Sequence, residues 1–509
     1  MNLARTRLLA RIAFHLVHTS ARREPPGLPG EGEGDGTAEE AARAVTVREA
    51  FEALGPLYMK VGQVLSTRPD IVAAPIAREL QHLHDRACVL PFRALEPVLA
   101  ESLGPHWRRR FRRFDTARPL GAASLAQVYE ATLTNGRRVA VKIQRPGIRP
   151  LVAQDMKTLR RLAHFFAQRA PALNATIDIE AMLGVIFDAM RPELDFTIEA
   201  RNMERARAAA RHFELIAVPK PMDATPTVLI QSLAPGTSIR DADPAEFAPG
   251  ERRAIGRQLL AFMFHGYFTD MTFHADPHPG NIFVAPGRPA TVIDWGMVGH
   301  IDRRQSMSLM LGLLSLSQND GHALAKAWVE MGKVTPWADI SAFTQDMAAL
   351  VPKVTSASLA ELNYGAALSS VLASSTRRGI QTSPMISILG KSFSHAEGSV
   401  RYLAPEISVT DVFRREIRKI IGAYLREASS EQQVARTVME TLISSLSTPG
   451  ELRGIIRDIS NQELTIQVAQ ASKQRLSPLE DRADARTRRL LQAAALAALA
   501  WRATSRRRT

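Results

Sequence analysis

Three oxygen-bearing side chains in fixed order, Asp276, Asn281 and Asp294, constrain this chain more than any other feature. The first two lie in Phe273-His274-Ala275-Asp276-Pro277-His278-Pro279-Gly280-Asn281, and the third opens Asp294-Trp295-Gly296. Between them, Ile282-Phe283-Val284 and Thr291-Val292-Ile293 flank a Pro- and Gly-rich stretch, which predicts two short strands around a loop. Phosphoryl transfer asks for a carboxylate at the nucleophile and oxygen ligands for a metal that neutralises the phosphates. Asp276 suits the first role, and Asn281 and Asp294 suit the second, as ligands of Mg2+. A turn cluster ahead of a strand end explains the Pro, Gly and Asn residues, but not three such groups in this order. His274 and His278 have a metal-ligand spacing, yet no third soft ligand lies nearby, so a zinc site is not expected.

The upstream half of a nucleotide site is also present. Leu120-Gly121-Ala122-Ala123-Ser124 leads into an alternating strand, the Asn135-Gly136 turn follows, and Arg138-Val139-Ala140-Val141-Lys142 closes the series. That order predicts a small-residue loop over the nucleotide phosphates, then a hairpin, then a strand lysine that pairs with them. Small residues let backbone N–H groups approach phosphate oxygens. Alone, Val-Ala-Val-Lys fits an edge strand with a solvated lysine equally well. In series with the downstream loop it marks a nucleotide site. The five-residue step from Asp276 to Asn281 is the spacing of the protein-kinase catalytic loop, and Asp294-Trp295-Gly296 stands where that fold has Asp-Phe-Gly.

Further motifs narrow the resemblance. Lys60-Val61-Gly62-Gln63, with the trailing Ser66-Thr67-Arg68-Pro69-Asp70, resembles the KxGQ motif of the UbiB family of atypical kinase-like proteins. Gly121 to Ser124 resembles that family's alanine-rich loop, and Glu193-Leu194-Asp195 its ExD motif. Glu199 falls where the family has the glutamate that pairs with the strand lysine. The resemblance covers about residues 46 to 400 and implies an α+β, bilobal protein-kinase-like fold. A helical amino-terminal extension would carry the KxGQ motif, and further helices would follow the large lobe.

The resemblance also implies ATP or ADP with Mg2+ as cofactors. Lys142 would neutralise phosphate oxygens while Glu199 orients it, with Asp276 completing the catalytic set. Gly121, Ala122, Ala123, Ser124, Lys60, Gln63 and Glu193 would line the nucleotide site. Lys60 would pair with Glu193, and the helices around it would occupy the groove of a protein substrate. Phosphorylation of proteins in trans is then not expected; ATP hydrolysis or phosphorylation of a small lipid-like substrate is. The family's role in ubiquinone biosynthesis implies quinone-biosynthesis proteins and lipid-like intermediates as partners. One residue departs from the pattern: the loop opens with Gly121 where the family has Ala or Ser, which bears on its preference for ADP. A small-molecule phosphotransferase of the aminoglycoside- or choline-kinase type gives Lys60 and Glu193 no role. A non-catalytic nucleotide-binding scaffold does not need the intact Lys142, Asp276, Asn281 and Asp294.

Length and charge set the remaining bounds. The 509 residues suffice for a two-lobed core with extensions, and the single cysteine, Cys88, excludes an internal disulfide framework. Of the formal net charge of +14, residues 1–23 supply five arginines and residues 486–509 seven, with no acids in either segment. The body between is nearly neutral and shows no aromatic-interleaved basic groove, so nucleic acid is not an expected partner. On a helical projection Arg7, Arg11, His15, His18 and Arg22 face away from Leu9, Ile12, Leu16 and Val17, as in a helix lying on an anionic membrane. A cleavable targeting peptide or a docking helix has the same pattern. Leu490 to Trp501 would make a helix of about 18 Å against a hydrocarbon core of about 30 Å, too short to span. Peripheral attachment is expected, at the cytoplasmic face of the inner membrane for a bacterial source.

The expected divisions are a basic amphipathic helix (1–23), a Pro/Gly/acid linker (24–45) and the helical extension (46–114). A small lobe (115–235), a large lobe (236–400), carboxy-terminal helices (401–475) and a basic apolar tail (476–509) follow. Pro192 is expected in the first turn of a helix, with Glu193 and Asp195 at its positive end. Strands are expected at 218–220 and 227–231, and a hinge at Ala234 to Thr237.

The tails generate the first prediction. They should bind anionic vesicles with an affinity that falls as salt rises, each arginine near the surface contributing about 1 kcal/mol. Vesicle co-sedimentation of the whole chain, and of a chain lacking residues 1–23 and 486–509, measures this. Equal binding to neutral vesicles, or binding that survives both truncations, would refute it.

Overall fold

Proline and glycine punctuate the first helices of the computed structural model, which describes residues 38–66, 72, 74–83, 89–169, 179–356 and 364–428. The basic amino-terminal segment, most of the linker, Thr67 to Asp70, Cys88 and everything beyond Ala428 lie outside those residues. Helix α1 (Ala38–Leu54) stops at Gly55, and Pro56 opens α2 (Pro56–Leu65) at a position where a missing N–H costs no helical bond. With α3 (Ala74–Gln81) these helices bury Phe51, Leu54, Leu57, Val61, Leu80 and Leu83 in one core. A Cβ on Gly62 would lie 2.4 Å from Leu83 Cδ1 and 3.0 Å from Phe51 Cδ1. The glycine of the Lys-x-Gly-Gln run is therefore a packing requirement, and adding a methyl there costs about 1–3 kcal/mol.

After α4 (Phe92–Leu103) the chain builds an antiparallel sheet from β1 (Phe111–Phe114), β2 (Gly121–Ala122), β3 (Ala126–Leu133) and β4 (Arg138–Gln144). The sheet begins at Phe111, ahead of the expected boundary, because Phe111 and Phe114 join Phe92, Trp107 and Tyr129 in an aromatic cluster. Asn135 Oδ1 accepts from Arg137 N at 3.1 Å across the β3–β4 turn, and the resulting register sets Lys142 opposite Val128. Three helices follow: α5 (Ile148–Arg169), α6 (Ile179–Leu194) and α7 (Phe196–Ala210). Helix α6 adds Ile186 and Met190 to the core of α1–α3, so the extension and this insert pack as one body.

Two expectations fail here. Pro192 lies near the end of α6, not at a helix start. Asp195 is what starts the next helix: its carboxylate accepts from Thr197 N at 3.0 Å and caps α7. Residues 218–220 are not a strand. They connect β5 (Ile216–Ala217) to β6 (Pro221–Ala224), which belong to different sheets. β6 and β7 (Val228–Ser232) complete the first sheet in the order β1-β3-β4-β7-β6, with β2 beside β3.

The second sheet has the order β5-β11-β10-β8, formed with β8 (Thr237–Ser238) across the expected hinge. After α8 (Pro249–Phe268) and β9 (Thr272–His274), the two strands expected around a loop are β10 (Ile282–Val284) and β11 (Ala290–Val292). β12 (Val298–His300) pairs back on β9, placing Val298 opposite His274. Then come α9 (Arg303–Ser317), α10 (Gly321–Met331), β13 (Lys333–Val334), α11 (Ile340–Ser356), α12 (Tyr364–Arg377), β14 (Ile380–Gln381), α13 (Pro384–Leu403) and α14 (Val409–Ala428). The chain divides into two compact units, and the described residues of the second, from Phe413 on, all lie in α14. Among the described residues no helix is long and apolar enough to cross a membrane.

One ion pair in the helical half yields a pH prediction. Arg378 donates to both Asp346 oxygens, at 2.9 and 3.0 Å, and Ser374 Oγ adds a third bond at 2.7 Å. Burial pushes the Asp346 carboxyl up, but these bonds outweigh it and hold the group below its ordinary value. A depressed folded-state pKa contributes stability that is present above the unfolded value of about 4 and is lost as pH falls through the folded one. Asp346→Asn should therefore destabilise the chain near neutral pH, with a deficit that narrows once pH drops below about 4. Urea midpoints across that range measure it, and a deficit independent of pH would contradict it.

Candidate functional site

Lys142 is the junction of the site. Strand β4 carries it, and its Nζ donates to Glu199 Oε1 and Oε2 at 3.0 and 2.9 Å and to Asp294 Oδ1 at 3.1 Å. Glu199 lies in the first turn of α7, where the Asp195 cap fixes the helix start. Its side chain is 1 % exposed, and burial outweighs the pull of Lys142, raising its carboxyl to about 7. Burial likewise works against the Lys142 ammonium, yet Asp294 and Glu199 reverse the balance and raise its pKa. Asp294 is half exposed, and Lys142 holds it down at about 2, so it is ionised across the physiological range.

The backbone at Asp294 is unusual, with φ of 59°, a left-handed conformation that a non-glycine residue adopts at a cost. Two contacts hold it there. Trp295 Nε1 donates to Val292 O at 3.0 Å, and Asn202 of α7 donates from Nδ2 to Trp295 O at 3.1 Å. Helix α7 thus positions both partners of Lys142. Two residues on, a Cβ at Gly296 would meet Asp294 Oδ1 at 3.4 Å, Glu193 Cγ at 3.6 Å and Glu199 Oε2 at 3.7 Å. Glycine keeps open the space among the three acids.

Lys60 enters the same space from α2. Its Nζ lies 2.8 Å from Glu193 Oε1 at the end of α6, and its charge contributes to the lowered pKa of Asp294. Gln63 lies apart from the phosphate side of the cluster: its amide donates to Leu83 O at 3.2 Å, inside the helical extension. The small-residue loop is a tight turn. Gly121 and Ala122 pair with Val128 and Gln127, Ala123 N donates to Ala126 O at 2.8 Å, and Arg145 Nε donates to Ala123 O at 2.9 Å. The Ala123 amide is thus engaged within the turn. A Cβ on Gly121 would meet nothing within 4 Å, so no packing contact demands the departure from alanine.

Asp276 and Asn281 belong to a second cluster. Asn281 Nδ2 donates to Asp276 O at 3.1 Å, and Ile293 N donates to Asn281 O at 2.8 Å, which ties the loop to the strand ahead of Asp294. His274 completes the tie: its Nδ1 accepts from Asp276 N at 3.1 Å, so Nε2 donates to Ile293 O at 3.0 Å. Burial lowers the His274 pKa and keeps the ring neutral, as that pair of bonds requires. His278 is absorbed locally, its Nδ1 accepting from Gly280 N at 3.0 Å.

Sequence reasoning missed the partners of Asp276. His395 Nδ1 bonds Asp276 Oδ1 at 2.6 Å, and Lys391 Nζ lies 3.4 Å from Oδ2. Both come from α13, as do Ser392, which donates to His274 O at 2.6 Å, and Ser399, which donates to Pro277 O at 2.8 Å. Nothing local distinguishes Lys391-Ser392-Phe393-Ser394-His395 from an ordinary polar helix face; the signal exists only in the tertiary structure.

Comparisons with known proteins bear on the family. The ABC1 atypical kinase-like domain matches residues 82–328. The chain is 31 % identical to a probable protein kinase UbiB of Aeromonas hydrophila over 374 residues, covering 72 % of this chain and 68 % of that one. A probable protein kinase UbiB of Pseudomonas putida is 30 % identical over 378 residues, covering 73 % and 69 %. Among solved structures, the Rv3197–erythromycin complex from Mycobacterium tuberculosis is 27 % identical and covers 62 % of this chain and 79 % of its own, at a TM-score of 0.43. The fold is α+β and protein-kinase-like, and the chain belongs to the family of ABC1 atypical kinase-like proteins that includes UbiB.

Proposed function

We propose that the chain binds a magnesium nucleotide, ATP or ADP, and transfers or hydrolyses its terminal phosphoryl group in support of ubiquinone biosynthesis. The observation that carries this is the position of Lys142, bonded at once to the buried Glu199 and the ionised Asp294. The donor set fits the metal in kind: the carboxyl groups of Glu193, Glu199 and Asp294 lie around the ammonium groups of Lys60 and Lys142. Carboxylate and amide oxygens suit a hard divalent cation, and Asp294 with Asn281 would hold it. Bound there, Mg2+ would supply charge neutralisation to the phosphates. Lys142, kept protonated by its acids, presents a fixed positive charge, and Asp276 presents an ionised carboxylate to the acceptor. The ubiquinone role rests on the names of the relatives, and attachment to an anionic membrane on the basic tails.

Lys60 separates this reading from a small-molecule phosphotransferase. Its ion pair with Glu193 brings α2, and with it the packed body of α1–α3, to the edge of the nucleotide site. A protein substrate would have to displace that body, so water, the chain itself or a small lipid-like molecule is the favoured acceptor.

Two outcomes test the proposal. ADP with Mg2+ should raise the melting temperature more than ADP alone, by the equivalent of about 2.7 kcal/mol at a hundredfold excess over Kd. Asp294→Asn should remove most of that gain, and an undiminished shift in the folded variant would remove Asp294 from the metal site. Lys60→Arg should raise labelling of the chain by radioactive ATP in cis, lower complementation of quinone synthesis in a deletion strain, and lose its labelling when combined with Asp294→Asn. Wild-type labelling and complementation would reduce Lys60 to a helix-surface residue.

A further inference from the structure

The loop that carries Asp276, from His274 to Asn281, contains no lysine or arginine. The positive charge at its carboxylate comes instead from α13, more than a hundred residues downstream in sequence. On this helix Lys391 and His395 are four residues apart and share a face with Ser392 and Ser399. That face is fastened to the loop by its hydroxyls, which donate to the carbonyls of His274 and Pro277 and not back into their own helix. Tyr267 of α8 donates to Ser392 Oγ at 2.8 Å from the other side. Ser392, Ser399 and Tyr267 are all fully buried, so these bonds fix the helix against the loop without competition from water.

The two carboxylate oxygens of Asp276 are treated differently. Oδ1 is held by His395 at 2.6 Å, a full hydrogen bond. Oδ2 lies 3.4 Å from the Lys391 ammonium, too far for a strong bond but close enough to feel its charge. An aspartate carboxylate turns readily about its last torsion, so without an anchor its two oxygens would exchange places. Pinning Oδ1 leaves Oδ2 as the oxygen that an incoming hydroxyl or water can reach.

We propose that Lys391 and His395 are positioning residues for the acceptor step: His395 fixes the Asp276 carboxylate so that Oδ2 faces the acceptor, and Lys391 balances its charge. The remaining titratable neighbour is His278, on the loop itself, whose ring centroid lies 6.5 Å from that of His395 and whose pKa burial lowers. The nucleotide-side residues Lys142, Glu199 and Asp294 take no part in these contacts. Loss of either α13 residue should therefore slow turnover without loosening the nucleotide. This inference rests on the phosphoryl-transfer reading above.

The experiment is steady-state ATP hydrolysis with Mg2+ by the purified full chain and by His395→Ala, His395→Asn, Lys391→Met and Lys391→Arg. Thermal shift with Mg-ADP is measured on each. His395→Ala and Lys391→Met should lower kcat by about 10- to 100-fold, the scale of a small misplacement of a reacting group, and leave KM and the Mg-ADP shift close to wild type. Lys391→Arg, which keeps the cation, and His395→Asn, which keeps an N–H donor, should each recover part of the rate. Should a truncating variant not fold, His395→Gln or Lys391→Gln takes its place. Unchanged kcat in both truncations overturns the proposal. So does a loss of rate that tracks loss of the Mg-ADP shift and is not relieved by Arg or Asn, since that is the behaviour of a structural contact. A wild type that binds Mg-ADP but transfers no phosphoryl group, to water or to itself, overturns it as well. A wild type with neither the shift nor turnover removes the phosphoryl-transfer reading itself.

Discussion

The first cluster of the candidate site is arranged around one desolvated ammonium. Lys142 sits on a strand whose neighbours are apolar, and a charge there is tolerable only because Glu199 and Asp294 reach it together. Removing one partner of such a buried pair costs about 3–5 kcal/mol, because the survivor keeps its desolvation penalty. The constraint spreads outward. Glu199 must be delivered by a helix, so Asp195 caps α7; Asp294 must point back at the strand, so its backbone accepts a left-handed conformation. The extension then adds a second ammonium, Lys60, against a third acid, Glu193.

The residues expected to carry chemistry could be picked out in the sequence because the roles expected of them impose residue type and local spacing together. Asp276 and Asn281 share one loop, Asp294 follows a strand, and Lys142 closes a hairpin whose Asn-Gly turn announces itself. The pairing of Lys60 with Glu193 was legible only through family resemblance; no local pattern connects α2 to the end of α6. Where local rules competed, the reading failed. Pro192 looked like a helix opener, but Asp195 supplies a cap with two acceptor bonds to Thr197, and a cap outranks a proline that a final helical turn can tolerate. Val218-Pro219-Lys220 is expected as a strand, whereas the chain uses it to leave one sheet for another, and Pro219 has no N–H to give a ladder. The place of Gln63 at a nucleotide is an expectation from its motif alone; in the structure its amide donates to Leu83 O, just past α3. Lys391, Ser392, His395 and Ser399 could not be read at all, since their meaning depends on a contact more than a hundred residues away.

That last contact bears on where the functional module begins and ends. The matched domain covers residues 82–328, yet Lys60 stands before it, and all four α13 residues that hold the Asp276 loop stand after it. A fragment cut to those limits would keep each residue of the expected catalytic set and lose the body beside Glu193. It would also expose the His274 and Pro277 carbonyls that two serine hydroxyls now satisfy. The unit that packs around the candidate site is therefore longer than the matched domain, as are the alignments of 374 and 378 residues with the relatives. Its ends are set by the contacts that the site must keep: an ion pair at Glu193 on one side and two satisfied carbonyls on the other.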